Sequence, residues 1–234
     1  MSGGHIVVTR PLPDGERTAS ALRAKGFGVV IAPLLRIEPV AAELAGQWSG
    51  VVVSSANAAR ALSAHRHRSA LLGLRVFAVG EHTAAAARQA GFGDVLVGGG
   101  DAQALVGTIT SHVKSAAPLL YLAGEERAAD LGAALAAHDI GVTTAVIYRA
   151  ARLAFPAALL EALQTGAAGT VLHYSRRTAE SYLAGARAAG VTNAALALRH
   201  LCLSEAIAQP LLAAGAADVA FAARPDEAAL FALL

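Results

Sequence analysis

Cysteine is nearly absent from this chain: Cys202 stands alone, so no intrachain disulfide can form. That suits a reducing compartment, and a buried strand residue is the simpler reading of Cys202 than a nucleophile. Aromatic residues are only 5% of the sequence and the formal net charge is only +2, which excludes the basic, stacking surface of a nucleic-acid binder. No apolar run approaches the ~20 residues that a membrane span requires. The N-terminus, MSGGHIVVTR, enters a strand without a signal-peptide pattern, so the expected location is cytoplasmic. Lysine is confined to Lys25 and Lys114, which leaves arginine as the fixed positive charge. A chain this rich in alanine, arginine and glycine reflects a GC-rich genome before it reflects anion binding.

Several chemistries are missing as well. There is no GxxxxGK phosphate loop and no GxSxG elbow, and Gly98, Gly99 and Gly100 lack dinucleotide-binding spacing. His65 and His67 flank Arg66 in a pattern that could ligate a metal, but a solvated helix end outweighs that reading. His173, inside an expected strand, is more simply a hydrogen-bonded, half-buried histidine than an acid or base. No carboxylate pair converges. That leaves binding by backbone amides, hydroxyls and arginines.

What is present is a well-buried globular chain of 234 residues, 55% apolar and 15% charged, long enough for one large domain or two ordinary ones. Strands are expected at 6–10, 29–35 (with 36–39 continuing extended), 51–54, 75–79, 95–97, 119–122, 142–148, 170–174, 198–203 and 219–221. Helices are expected between them, including 57–66, 82–90, 102–112 and 131–138. Asp14 and Asp101 are the expected N-caps of the helices that follow them, and Gly26 a C-cap. Alternation of strand and helix at this spacing means parallel α/β sheets.

The sequence also repeats itself. Gly28 aligns with Gly141, laying VVIAPLLR over VTTAVIYR; Ser55 aligns with Ser175; Glu81 aligns with Glu205. Each repeat holds about five strands, the number in a flavodoxin-like doubly wound sheet. Two arrangements satisfy this: each repeat folds alone, or the halves exchange strands so that residues 36–39 and 149–152 cross over side by side. Proline in the first segment favours the crossover.

Ligands of doubly wound sheets bind beyond the carboxyl ends of the strands. The residues there include Arg10, Ser55, Asn57, Thr83, Gly124, Arg127, Ser175 and Arg176, a set of hydroxyls, an amide, a glycine and arginines suited to an anionic ligand, aided by free helix amides. Tyr148, at an expected strand end, is the most interesting proton donor, although a core aromatic with its hydroxyl at the surface is the simpler reading from spacing alone.

VTRP at 8–11, LRAKGFGVVIAPLLRIEP at 22–39, VVVSSANAARAL at 51–62, VFAVGEHTAAAARQAGF at 76–92 and AVIYRA at 145–150 together resemble, in order, the uroporphyrinogen-III synthase family. The resemblance implies an α/β fold of two flavodoxin-like doubly wound parallel-sheet domains joined by a two-stranded β-ladder crossover. One domain would combine residues 1–35 and 153–234, the other would be 40–147, and 36–39 and 148–152 would be the crossover strands, with Tyr148 at the hinge. It further implies a cofactor-independent hydro-lyase of tetrapyrrole biosynthesis, serving haem, sirohaem, cobalamin or chlorophyll. The substrate would be hydroxymethylbilane, a linear tetrapyrrole with eight carboxylates, closed with inversion of ring D and loss of water. Tyr148 matches the family's interdomain tyrosine, and Ser55, Ser175 and Thr83 match its carboxylate-holding hydroxyls. The family's glycine-threonine loop is replaced here by Ser204-Glu205, where a carboxylate would repel the substrate. Expected associations are the substrate, transient contact with hydroxymethylbilane synthase and otherwise a monomer, with no nucleic acid and no membrane. Two alternatives stand: a two-lobed cytoplasmic small-molecule binder, or a degenerate homologue that binds tetrapyrrole without turnover.

Overall fold

The computed structural model describes residues 4–113, 117–126 and 130–234. In chain order it runs β1 (His5–Val8), α1 (Asp14–Ala24), β2 (Val29–Ile31), β3 (Leu35–Pro39), β4 (Gly50–Val53), α2 (Ala56–Ser63), α3 (Arg68–Leu71) and β5 (Val76–Ala78). It continues with α4 (Glu81–Gln89), β6 (Val95–Val97), α5 (Ala102–His112), β7 (Leu119–Gly124), α6 (Leu131–Ala136) and β8 (Val142–Arg152). The last part holds α7 (Ala157–Gln164), β9 (Ala168–His173), α8 (Arg176–Ala188), α9 (Thr192–Leu196), β10 (Arg199–Cys202), α10 (Glu205–Ala213), β11 (Val219–Phe221) and α11 (Glu227–Phe231).

The chain forms two compact units, Met1–Arg36 with Ala151–Leu234, and Ile37–Ala150. The first carries a five-stranded sheet ordered β11-β10-β9-β1-β2, whose pairs are all parallel. Central strands here are covered by helices on both faces, so β1 reads as the uninterrupted apolar run Ile6, Val7, Val8, all buried. Val7 packs into a cluster with Val171, Tyr182 and Leu211; Ile6 and Val8 face the opposite cluster with Leu22, Leu201 and Leu230. The chain winds outward one way from β1 and the other way from β9, so the switch point of this unit lies between them.

The second unit carries a six-stranded sheet ordered β3-β8-β7-β4-β5-β6. Val51 and Val53 point to one cluster and Val52 to the other, the period of two expected of a strand. Alanines on α2 and α4 (Ala58, Ala59, Ala84, Ala87) are wholly buried, and their small side chains allow these helices to lie close together and on the sheet. The switch point lies between β4 and β7. β3 and β8 run antiparallel, as the hydrogen bonds from Val40 N to Ile147 O (2.9 Å) and from Leu153 N to Leu34 O (3.0 Å) require.

Three expectations are corrected. The single strand expected at 29–35 breaks after Ile31, because Pro33 has no amide to donate; β2 joins the first sheet and β3 the second. Asp14 is not the N-cap of α1: Pro13 holds that position, and Asp14, one residue inside, faces Arg10 at 3.6 Å. His173 is not half-buried but completely buried, its Nε2 3.1 Å from Nδ1 of His200. Asp101, by contrast, does cap α5, accepting from Ala104 N at 2.8 Å.

Candidate active site

A cavity of about 370 Å³ opens at the switch point of the second unit, beyond the carboxyl ends of β4 and β7. Ser54 and Ser55 following β4, Gly124 ending β7, Tyr148 on β8 and Tyr121 on β7 line it, with the first residues of α5 opposite. Each is there for a local reason. β4 is four fully buried residues that stop at Ser54, where Ser55 turns the chain by capping α2, its Oγ accepting from Asn57 N at 3.2 Å.

Tyr148 owes its aim to an irregularity. β7 and β8 pair in step from Leu119 with Val142 to Ala123 with Val146, and then the register slips so that Gly124 meets Tyr148. One extra residue on β8 turns the tyrosine relative to a regular ladder. The ring then crosses the bare backbone of Gly124: a Cβ there would fall 2.6 Å from Cζ and 2.8 Å from Oη of Tyr148. Burial pushes the Tyr148 phenol above its ordinary value; a hydrogen bond from the Ser55 side chain opposes this, and the nearby Tyr121 adds to it. The phenol is therefore protonated at neutral pH and able to donate.

The other sequence-derived candidates are dispersed. Asn57 lies in the first turn of α2 with Oδ1 accepting from Arg60 Nη1 at 3.0 Å. Thr83, in the first turn of α4, is only 5% exposed. Arg127 falls outside the described residues. Ser175 belongs to the first unit, where it caps α8 by accepting from Thr178 N at 3.1 Å and shares a 2.6 Å bond with Thr178 Oγ1. Arg176, exposed, pairs with Glu180 at 3.0 Å. Arg10 is engaged within its own unit: it stacks 4.1 Å over the Tyr174 ring and reaches Glu227 at 3.3 Å. Ser204 starts α10 without a side-chain capping bond, and Glu205 is exposed.

Sequence reasoning missed Tyr121, whose hydroxyl lies 2.6 Å from Ser54 Oγ. The available signal was a single polar-tipped side chain in the otherwise apolar run LLYLA. It also missed His200 as the partner of His173, although both fall in expected strands. Among the described residues, no three His, Cys, Asp or Glu side chains are grouped to hold a metal ion, and no helix is long and apolar enough to cross a membrane.

Set against known proteins, residues 16–232 match the family model described as uroporphyrinogen-III synthase HemD. The fold is similar to the uroporphyrinogen-III synthetase of Helicobacter pylori 26695 (TM-score 0.66, 16% identity, 98% of this chain and 97% of that one covered). It is also similar to a mutant uroporphyrinogen III synthase of the extreme thermophile Thermus thermophilus (TM-score 0.53, 18% identity, 98% and 97% covered). None of the curated proteins compared matches the chain in sequence. With nearly its whole length accounted for by one family model, this chain belongs to the uroporphyrinogen-III synthase family.

Proposed function

We infer that this chain is a uroporphyrinogen-III synthase, a lyase that cyclises hydroxymethylbilane with loss of water, and we propose that Tyr148 donates to the departing hydroxyl. The observation that carries the residue assignment is the Tyr148 phenol, kept protonated by burial and held over Gly124 at the edge of the cavity. Departure of the ring A hydroxyl breaks a C–O bond, and a donor that shares its proton with the oxygen makes water rather than hydroxide the leaving group. The azafulvene left behind is attacked by the substituted carbon of ring D, and the spiro intermediate then fragments and recloses with ring D inverted. These species react without further activation. The protein's larger task is to hold the bilane folded so that ring D meets the electrophilic carbon.

Ser55 supports this reading through its bond to Tyr148. Asn57, Thr83, Gly124 and Arg127 in the second unit and Ser175 and Arg176 in the first remain the proposed substrate-binding set. Gly124 acts there through the space it leaves for Tyr148. Arg10 belongs to the proposed set as well, its guanidinium held by the ion pair with Glu227. A cytoplasmic monomer that takes the unstable bilane from hydroxymethylbilane synthase by transient contact completes the proposal.

The test is to supply hydroxymethylbilane freshly made by its synthase, oxidise the products and separate the isomers. Type III product in excess of the spontaneous background is expected; type I alone would show a binder or a homologue without turnover.

A further inference from the structure

The cavity holds a second tyrosine–serine pair. Tyr121 is 3% exposed, its ring packed among Val52, Phe77 and Leu131, yet it also lines the cavity together with Ser54. Register explains the meeting. Tyr121 lies opposite Val52 across parallel strands, so Ser54, two residues on, shares its face of the sheet. Their oxygens stand 2.6 Å apart.

Two hydroxyls carry two protons and spend one on the bond between them. The other is left for a further acceptor; the Tyr121 ring packs in an apolar cluster, while Tyr121 and Ser54 both line the cavity. Either hydroxyl can donate across this bond; a carboxylate in the cavity selects the polarity in which Ser54 donates to Tyr121 and the phenol, the stronger donor of the two, donates to the carboxylate. The cavity wall opposite is the start of α5 at Gly100, Asp101 and Ala102, where the positive end of an 11-residue helix favours a negative ligand. Two carboxylates also line the cavity: Asp101, spent on its capping bond to Ala104 N, and Glu126, which is engaged in an interaction of its own.

We propose that Tyr121, oriented by Ser54, donates a hydrogen bond to one carboxylate side chain of the substrate and so sets the angle at which a pyrrole ring is presented to Tyr148. The proposal rests on the synthase reading above. It makes Tyr121 a binding residue, separate from the donor that assists bond breaking. A neutral donor pair suits an anchor of this kind, because it holds a carboxylate without a buried charge that must be neutralised when the site is empty.

Steady-state kinetics of Tyr121→Phe and Ser54→Ala with hydroxymethylbilane test this. Tyr121→Phe should raise KM about 10-fold, the loss of one hydrogen bond to a charged group, while kcat stays within about 2-fold. Ser54→Ala should raise KM about 3-fold, and the double variant should be no worse than Tyr121→Phe alone, since the two hydroxyls act as a unit. An unchanged KM, a fall in kcat alone, or additive effects in the double variant would overturn the proposal. Should Tyr121→Phe fail to fold, an unchanged KM in Ser54→Ala overturns it equally. If the wild-type protein makes only type I product, the synthase reading itself fails and this proposal with it; a wild type that makes type III beside an unaffected Tyr121→Phe removes the proposal alone.

Discussion

At the scale of single residues, the site depends on one side chain that is absent. Gly124 sits where the Tyr148 ring must pass, and even a methyl group there would overlap the ring carbon bearing the hydroxyl. Gly124→Ala should therefore displace the phenol and lower kcat about 10-fold or more, with a thermal midpoint close to wild type because β7 pairs through its backbone. Tyr148→Phe, which removes only the hydroxyl, should lower kcat about 100-fold at nearly unchanged KM, the lower range for a positioned proton donor. Kinetics of both variants beside circular dichroism would separate the loss of the donor from the loss of its position; a full rate in Tyr148→Phe would reduce Tyr148 to a packing residue. Tyr148 was legible in the sequence because AVIYRA places an aromatic with a polar tip at the expected end of a strand, although β8 continues past it to Arg152. The need for glycine at 124 was not, because it arises from a register slip between strands that no local pattern records.

Elements show the same division between what is written locally and what is not. Helix α5 runs over the residues its pattern indicates, because Asp101 follows three glycines and caps the first turn itself. Helix α11 is only five residues and would not persist alone; it is held by Glu227. That carboxylate accepts from Thr18 Oγ1 at 2.6 Å, Tyr174 Oη at 2.8 Å, Arg17 Nη1 at 2.6 Å and Arg10 Nη1 at 3.3 Å. Burial alone would push its pKa up, but the donors outweigh burial and hold it below the ordinary value. Glu227→Ala would remove the one acceptor that Thr18, Tyr174, Arg17 and Arg10 share, a loss of about 2–3 kcal/mol, read as a lower denaturation midpoint at neutral pH. A midpoint within experimental scatter of wild type would mean that solvent satisfies these groups. Nothing in the sequence near Glu227 announces partners more than two hundred residues away; only the fold brings α1 beside the chain's end. The break between β2 and β3 was half legible: Pro33 was visible, but the continuing run of apolar residues masked the change of sheet.

On the scale of the whole molecule, duplication and alternation made the fold class readable, since ladders of parallel strands need little beyond buried apolar runs and crossover helices. Duplication does not make the two cores alike. The first unit buries a polar group in its core: His173 and His200, both fully inaccessible, lie 3.1 Å apart with Tyr182 edge-on to both rings. Burial drives the pKa of His173 well below its ordinary 6.5, with the neighbouring His200 adding to the effect. Burial likewise lowers His200 to about 4, partly offset by Asp218. Because both folded pKa values are depressed, the unfolded chain binds more protons as acid is added; the stability is fully present above pH 6.5 and is lost as the pH falls from 6.5 toward 4. His200 alone accounts for about 3 kcal/mol over that window. No histidine lies in the buried core of the second unit, among the described residues, so its stability should not follow this course. Hydrogen exchange read by peptide across pH 7 to 4 should show the amides of β9 and β10 losing protection before those of β4 and β7. Replacing His200 with glutamine, which carries no titrating group, should flatten the dependence. Simultaneous loss in both units, or an unaltered profile in that variant, would mean that carboxylate protonation rather than the histidine pair governs the acid transition.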